Sequence, residues 1–460
     1  MIPRFIHRLI FTAGLALAAC APERPTPEPH SPEEIAAFDE AIAQISKPLD
    51  FSAMRIVVFG GGENASDQDA ASARRRIDTH RARLEALAPF SADRLDACRA
   101  IDLGRARSIA SVGLREARLE HRLAMADVAL GEETDRRDED WFGLELQKWT
   151  DLDLTPEAAF AFAEAELARA QADFKVLQAE LGFAGDLDGL EAHLNREALR
   201  LAEDADIQAR MRETRDVIRA NLARAFHGDY GAPPVKIRRF PRPDRLPAEA
   251  LYDGGTLRYN PLDGVLNARK VDLLVLHEGA PGHHLQMRAA ATARRCPRTG
   301  LNRFHWAFTE GWGSYVEDLG DTLGVYTTPE AKLYAVEWRM SRAARLAMSI
   351  GLHHLGWTEE EARAYWRAEA LGQSAVEDQQ IQRARLWPAR TAAYLYGADM
   401  FRRMRALYMA DGRGDLRDFH DLALTYGPMP PQAFEALIRR AVIERQTGAP
   451  WHPSGAVLAR

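Results

Sequence analysis

Apolar residues recur every three to four positions along "TPEAAFAFAEAELARAQADFKVLQAELG", residues 155 to 182: Phe160, Ala163, Leu167, Ala170, Phe174, Leu177 and Leu181. That spacing lines one face of a helix. Thr155 stands where an N-cap belongs, Pro156 at the first turn, and Gly182 where a C-cap glycine belongs. The pattern continues in more polar form after residue 196, so helices are predicted from 33 to about 225. From residue 227 the texture changes. Prolines and glycines interrupt "HGDYGAPPVKIRRFPRPDRLPAEALYDGGTLRYNPLDG", and "GTLRYN" suits a short strand. From 266 to about 445 the helical pattern returns. The expectation is a mainly α, large helical fold with a few short strands near a cleft.

The N-terminus carries a different pattern. A basic start, "MIPRFIHR", precedes "LIFTAGLALAA", an apolar run of eleven residues, and then Cys20. Such a run is too short to span a bilayer but suits the apolar region of a signal peptide. Its end, "LAAC", resembles a bacterial lipoprotein signal, with cleavage before Cys20 and lipidation of the thiol. An ordinary secretory signal with a chance cysteine is the alternative. Five prolines in the next twelve residues, "APERPTPEPHSP", read as an extended tether. The expected organisation is therefore a signal at 1–19, a tether at 20–32, an N-terminal helical region at 33–225, a catalytic region at 226–445 and a tail at 446–460. The protein would sit on the periplasmic side of a membrane in the cell envelope, anchored through Cys20.

Composition narrows the function. The chain has 460 residues, 46% hydrophobic and 28% charged, which is ordinary for a globular protein. A net charge of -7 leaves no basic excess for nucleic acid. Cys98 and Cys296 are the cysteines other than Cys20, and could pair in an oxidising compartment if geometry allows. Gly60, Gly62 and Ala65 match a dinucleotide-type G-x-G-x-x-A, but no series of βα units surrounds them, and a surface loop is the better reading. Oligomeric state is not legible.

The chemistry concentrates in "HEGAPGHHLQ", residues 277 to 286, at the end of the apolar run "VDLLVL". A hydrolytic zinc site needs three protein ligands, an open position for water and a base beside it. His277, Glu278, His283 and His284 offer these groups, and "FTEGWGSYVEDLG" follows with Glu310, Tyr315 and Glu317. The spacing leaves the second histidine open. At 100° per residue, His284 would lie about 20° from His277 on an unbroken helix and His283 about 120° away. A break at Pro281 and Gly282 would favour His283 instead. Glu317, seven residues after Glu310, could orient a ligand histidine; a solvated face is the alternative.

These residues resemble the bacterial family known as domain of unknown function 885, a zinc-peptidase group of the glutamate-zincin kind. Its H-E-x-x-P-G-H-x-x-Q motif is matched by His277, Glu278, Pro281, Gly282, His283 and Gln286. Its E-G-W-x-x-Y-x-E motif is matched by Glu310, Gly311, Trp312, Tyr315 and Glu317. "GLHHLGW" resembles the family's G-L-H segment at His353, and "FHDLALTYGPMP" its ending. The match spans most of 145 to 440. The resemblance implies zinc held by His277, His283 and Glu310, with Glu278 as base and His284 as an alternative ligand or supporting group. His353 or Tyr394 would stabilise the oxyanion. Two stretches depart from the family. Ser349 replaces an aspartate before G-L-H. In "PARTAAYLYG", Arg390 and Leu395 replace a glutamine and a lysine, on the substrate side of the cleft. Tyr315 is a candidate for the same cleft, although residues such as Tyr315 and Trp312 more often serve in packing.

The expected activity is zinc-dependent hydrolysis of peptide bonds. A zinc amidohydrolase acting on a non-peptide amide shares every ligand. A catalytically silent lipoprotein that binds peptide is the reading from another class, and the altered segment at 387 to 397 is its support.

Overall fold

The computed structural model describes residues 29–46, 70–125, 140–241, 248–261, 264–301 and 304–448. The signal segment, Cys20, the glycines at 60 and 62, and the chain after 448 lie outside these residues. Helix begins at Pro32, one residue inside the expected tether, because Ser31 and Glu34 form a reciprocal capping box.

The described chain is mainly helical. Its first part holds α1 (Pro32–Ile45), α2 (Ala70–Leu87), α3 (Ala97–Met125), α4 (Trp141–Thr150), α5 (Pro156–Glu180), α6 (Leu187–Leu194) and, after the two-residue β1 (Arg200–Leu201), α7 (Asp204–Asn221). A strand region follows: β2 (Lys236–Arg239), β3 (Ala250–Asp253), β4 (Thr256–Tyr259) and β5 (Leu266–Asn267). Then come α8 (Val271–Glu278), α9 (His283–Thr292), α10 (Trp306–Val316), α11 (Pro329–His353), α12 (Glu359–Glu369), α13 (Glu377–Leu386), α14 (Arg390–Met409), α15 (Leu416–Tyr426) and α16 (Pro431–Thr447).

Helix α5 is the segment whose pattern was clearest. Thr155 accepts from the Ala158 amide, and Ala163, Leu167, Ala170 and Phe174 are buried. Phe160, Leu177 and Leu181 are partly buried against the same core. Each large side chain fully withdrawn from water there contributes about 1.5–3 kcal/mol. That face packs against α11, and the contact joins the two halves of the chain. A second core likewise runs from Ala97 and Ile101 of α3 through α7, the sheet, α8 and α10 to α16. Residues on either side of position 225 thus share both cores.

The strand region forms a three-stranded sheet in the order β2-β4-β3, parallel between β2 and β4 and antiparallel between β3 and β4. The expected strand at "GTLRYN" is β4, with Leu257 and Tyr259 buried. Cys98 of α3 and Cys296, beyond α9, form a disulfide with their Cα atoms 5.4 Å apart. Among the described residues, no helix is long and apolar enough to cross a membrane.

Candidate metal centre

Every residue of α8 is buried. A helix apolar on all sides belongs in a protein interior, and this one delivers His277 and Glu278 there on its last turn. The helix stops at Glu278, and α9 starts again at His283. The unbroken-helix geometry that would pair His277 with His284 is therefore absent. The turn between the helices is fastened by Trp312 of α10, whose indole N–H donates to the Pro281 carbonyl at 2.9 Å. So the two sequence motifs meet through a side chain that only looked like packing.

His277, His283 and Glu310 converge, all buried, with one potential ligand atom of each within 4.8 Å of the others. Nε2 of His277 lies 3.7 Å and Nε2 of His283 lies 3.4 Å from the same Glu310 oxygen. His277 approaches α10 because residue 313 is glycine. A Cβ there would stand 2.6 Å from Cε1 and 2.9 Å from Nε2 of the ring. Behind the ring, Nδ1 donates to Glu317 at 2.7 Å. Glu317 in turn accepts two hydrogen bonds from Arg342 of α11, at 2.6 and 2.7 Å. A carboxylate that fixes the far nitrogen of an imidazole sets its tautomer and raises its basicity toward a metal.

The electrostatics point the same way. Burial disfavours the His277 imidazolium, but the Glu310 and Glu317 carboxylates beside it overcome this and push its pKa up to about 10. Burial likewise opposes ionisation of Glu310, yet His277 and His283 hold it well below the usual carboxylate range. The cluster is built to hold positive charge. Two imidazoles and a carboxylate are a donor set for a divalent metal, and the buried Nδ1 of His283 has no hydrogen-bond partner among the described residues. Glu278 sits beside the cluster, 8% exposed, its pKa raised by burial and partly offset by His277 and His283.

Three expected site residues lie elsewhere. His284 turns away, its Nε2 donating to the Pro233 carbonyl at 2.7 Å and its Nδ1 facing the Tyr252 hydroxyl at 3.3 Å. Burial lowers its pKa, as suits a neutral ring. It is neither ligand nor support, because the helix break rotates it toward the sheet. His353 faces Trp141, Phe142 and the Ala384 carbonyl. It is eleven residues, about 16 Å of helix at 1.5 Å per residue, beyond Arg342, the residue by which α11 reaches Glu317, and its contacts lie at that far end. Tyr315 is fully buried, its hydroxyl 2.8 Å from Nε2 of His420, and lines no cleft.

Tyr394 and Arg390 do reach the centre, both from α14. The Tyr394 ring stacks on His277 with centroids 6.3 Å apart, and Arg390 places a guanidinium nitrogen 3.8 Å from the second oxygen of Glu310. Their helix can come this close because Gly311 meets Gly397. A Cβ on Gly311 would fall 2.3 Å from the Gly397 Cα. Ser349 keeps a polar role where the family resemblance expects aspartate: its hydroxyl accepts from the Ala389 amide at 3.2 Å, just before α14. Leu395 is buried in the helical core. Sequence reading gave no role to Arg342, or to Trp149, Trp306 and Trp387, whose rings surround Arg390. Arg342 belongs to no motif, and the tryptophans come from three separate segments.

Two solved structures share this architecture. A candidate lipoprotein from Colwellia psychrerythraea is similar with a TM-score of 0.60 and 19% identity, over 91% of this chain and 77% of that one. A candidate lipoprotein of unknown function from Shewanella oneidensis gives 0.63 and 17%, over 88% of this chain and 98% of that one. At these identities the likeness speaks for the fold alone. No curated protein matches the chain. The family model for bacterial proteins of unknown function DUF885 matches residues 63–438, most of the chain and the whole of the metal cluster. The chain therefore belongs to the DUF885 family.

Proposed function

We propose that the protein is a zinc-dependent hydrolase of peptide bonds, anchored to the envelope through lipid on Cys20. The observation that carries the first part is the convergence of His277, His283 and Glu310, with Glu278 alongside and Glu317 bonded behind. In this reading those three residues hold the ion. A bound zinc supplies a Lewis acid and a water acidified to near-neutral pKa. Glu278 accepts the proton of the attacking water and hands it to the leaving amine. Tyr394 directs its hydroxyl at the scissile carbonyl oxygen as that atom gains charge. Glu317 and Arg342 hold the His277 ring in place throughout.

The anchor rests on the "LAAC" pattern and the proline-rich segment after it. The Cys98–Cys296 disulfide suits an oxidising compartment. A silent peptide-binding lipoprotein keeps one specific support, the replacement of the family's glutamine and lysine by Arg390 and Leu395.

The decisive experiment is Glu278→Gln, which keeps size and hydrogen bonding but removes the basic oxygen. Zinc content should stay at the wild-type level while peptide hydrolysis falls by roughly a hundredfold or more. Wild-type turnover in the variant would refute the mechanism. A wild-type protein that holds zinc and cleaves nothing in a broad peptide library would favour the binder.

A further inference from the structure

A cluster of arginines borders the metal site in a chain whose net charge is -7. Arg342 is neutralised by Glu317. Arg345, Arg383 and Arg390 are not balanced in this way. Among the described residues, Arg345 and Arg383 have no carboxylate within ion-pair distance. Arg345, 2% exposed, bonds instead to the neutral Thr391 hydroxyl and Gln380 amide oxygen. Arg383 lies between Trp338 and Trp387, at 5.9 Å from each ring centre. Arg390 lies among Trp149, Trp306 and Trp387, and among the described residues the carboxylate it meets is Glu310, at 3.8 Å. The Nε groups of Arg383 and Arg390 have no hydrogen-bond partner among the described residues.

Burying cations together is costly. Burial and the neighbouring guanidiniums depress the pKa of both Arg345 and Arg383. Aromatic faces and neutral amides soften the cost but bring no negative charge. The missing anion must come from outside the described chain. Arg390 and Trp387 are only partly buried, so the cluster opens outward on the side where Arg390 meets Glu310. The distance there is short. Glu310 presents one oxygen to the histidines and the other to Arg390.

We propose that Arg390, backed by Arg383 and Arg345, receives a carboxylate on the substrate residue flanking the scissile amide. Either the free C-terminus of a peptide or an Asp or Glu side chain supplies that group. This rests on the proposed hydrolase reading for the word scissile, but the binding itself does not. Arginine is suited to the task because its planar fork takes both carboxylate oxygens. The glutamine of the family pattern could hydrogen-bond a substrate without selecting its charge.

The test uses metal-free protein and four capped dipeptides: acetyl-Ala-Ala as the acid and as the amide, and acetyl-Ala-Glu-amide against acetyl-Ala-Gln-amide. Calorimetric titration should show one charged member binding roughly ten- to a hundredfold tighter than its neutral twin, the scale of a charge-assisted pair. Which pair discriminates identifies the source of the carboxylate. Arg390→Gln should abolish the preference with an unchanged melting temperature, and Arg383→Gln should weaken it. Equal affinity for charged and neutral members, or no binding of any at millimolar concentration, overturns the proposal. A preference that survives in both variants also overturns it. Failure of the hydrolase reading looks different: the preference persists, but zinc is not taken up or nothing is cleaved. Cleavage indifferent to the carboxylate would spare the hydrolase reading and remove this one.

Discussion

Replacing Glu317 by glutamine separates two jobs that one side chain performs. Its carboxylate accepts from His277 Nδ1 at 2.7 Å and from Arg342 at 2.6 and 2.7 Å, with both charged partners almost wholly buried. Glutamine still accepts one hydrogen bond but cannot neutralise Arg342. Removing one partner of a buried ion pair costs about 3–5 kcal/mol, because the other charge is left uncompensated. Loss of the carboxylate behind a metal-bound histidine typically weakens metal binding by about 10–100-fold, or roughly 1.4–2.7 kcal/mol. Both effects should appear in Glu317→Gln, measured by urea unfolding of the metal-free protein and by zinc competition against a chelating dye.

The second variant tells them apart. Glu317→Gln combined with Arg342→Met removes the orphaned cation, whose guanidinium lies over the Trp338 and Tyr394 rings, and leaves an unbranched apolar side chain in its place. Stability should recover by most of the lost amount, since deleting both members of a buried pair is often close to neutral. Zinc affinity should not recover, because His277 still lacks its carboxylate. Zinc affinity in Glu317→Gln within a factor of two of wild type would refute the supporting role, and so would recovery of both quantities in the double variant.

Other outcomes follow from the same geometry. His277→Ala, His283→Ala and Glu310→Ala should each strip zinc, measured by elemental analysis, whereas His284→Ala should retain it. Cys20→Ser should release the protein from the membrane fraction and abolish acyl labelling; unchanged attachment would count against the lipid anchor. His420 is fully buried and neutral, donating from Nδ1 to the Ala225 carbonyl and accepting from the Tyr315 hydroxyl, each at 2.8 Å. Burial pushes its pKa down to about 3, so below pH 6.5 the unfolded chain binds the extra proton and stability falls with pH. Its contribution is complete above 6.5 and shrinks by about 2 kcal/mol by pH 5. His420→Gln should therefore flatten the pH dependence of urea unfolding between 7 and 5, and an unchanged slope would contradict the assignment.

What the sequence made legible was periodic or clustered. The 155–182 helix declared its cap and its buried face through spacing alone, and Thr155 and Leu167 sit as that spacing requires. The metal cluster showed because three ligand-type residues stand in two short motifs. What stayed hidden depends on contacts across the chain. His284 against His283 turned on where α8 stops, a backbone event that helical angles cannot foresee. His353 carried a motif letter, but its packing against Trp141 and Phe142, two hundred or so residues away in sequence, is visible only in three dimensions. Tyr315 lies five residues past Glu310, about 140° round the helix, on a face that packs on Phe401 and His420, and the partners that fill that face come from distant segments.

The site should exist before any metal arrives. Its ligands stand on helices, and contacts within the protein fix those helices and their neighbours. Trp312 ties the α8–α9 turn to α10, Gly311 lets α14 lie against α10, and Arg342 brings α11 to Glu317. Those contacts involve residues from 281 to 397, so the ligand set is a by-product of the whole core folding rather than of metal uptake. The metal-free protein should then show cooperative unfolding and native near-ultraviolet dichroism. Zinc should raise its stability only by the mass-action amount set by affinity and concentration. A small metallo-domain behaves otherwise, being unfolded until the ion binds. A metal-free chain that lacks fixed aromatic signals and gains them on zinc addition would show that the ion organises the core, and would remove the preformed site on which the reading of Arg390 also depends.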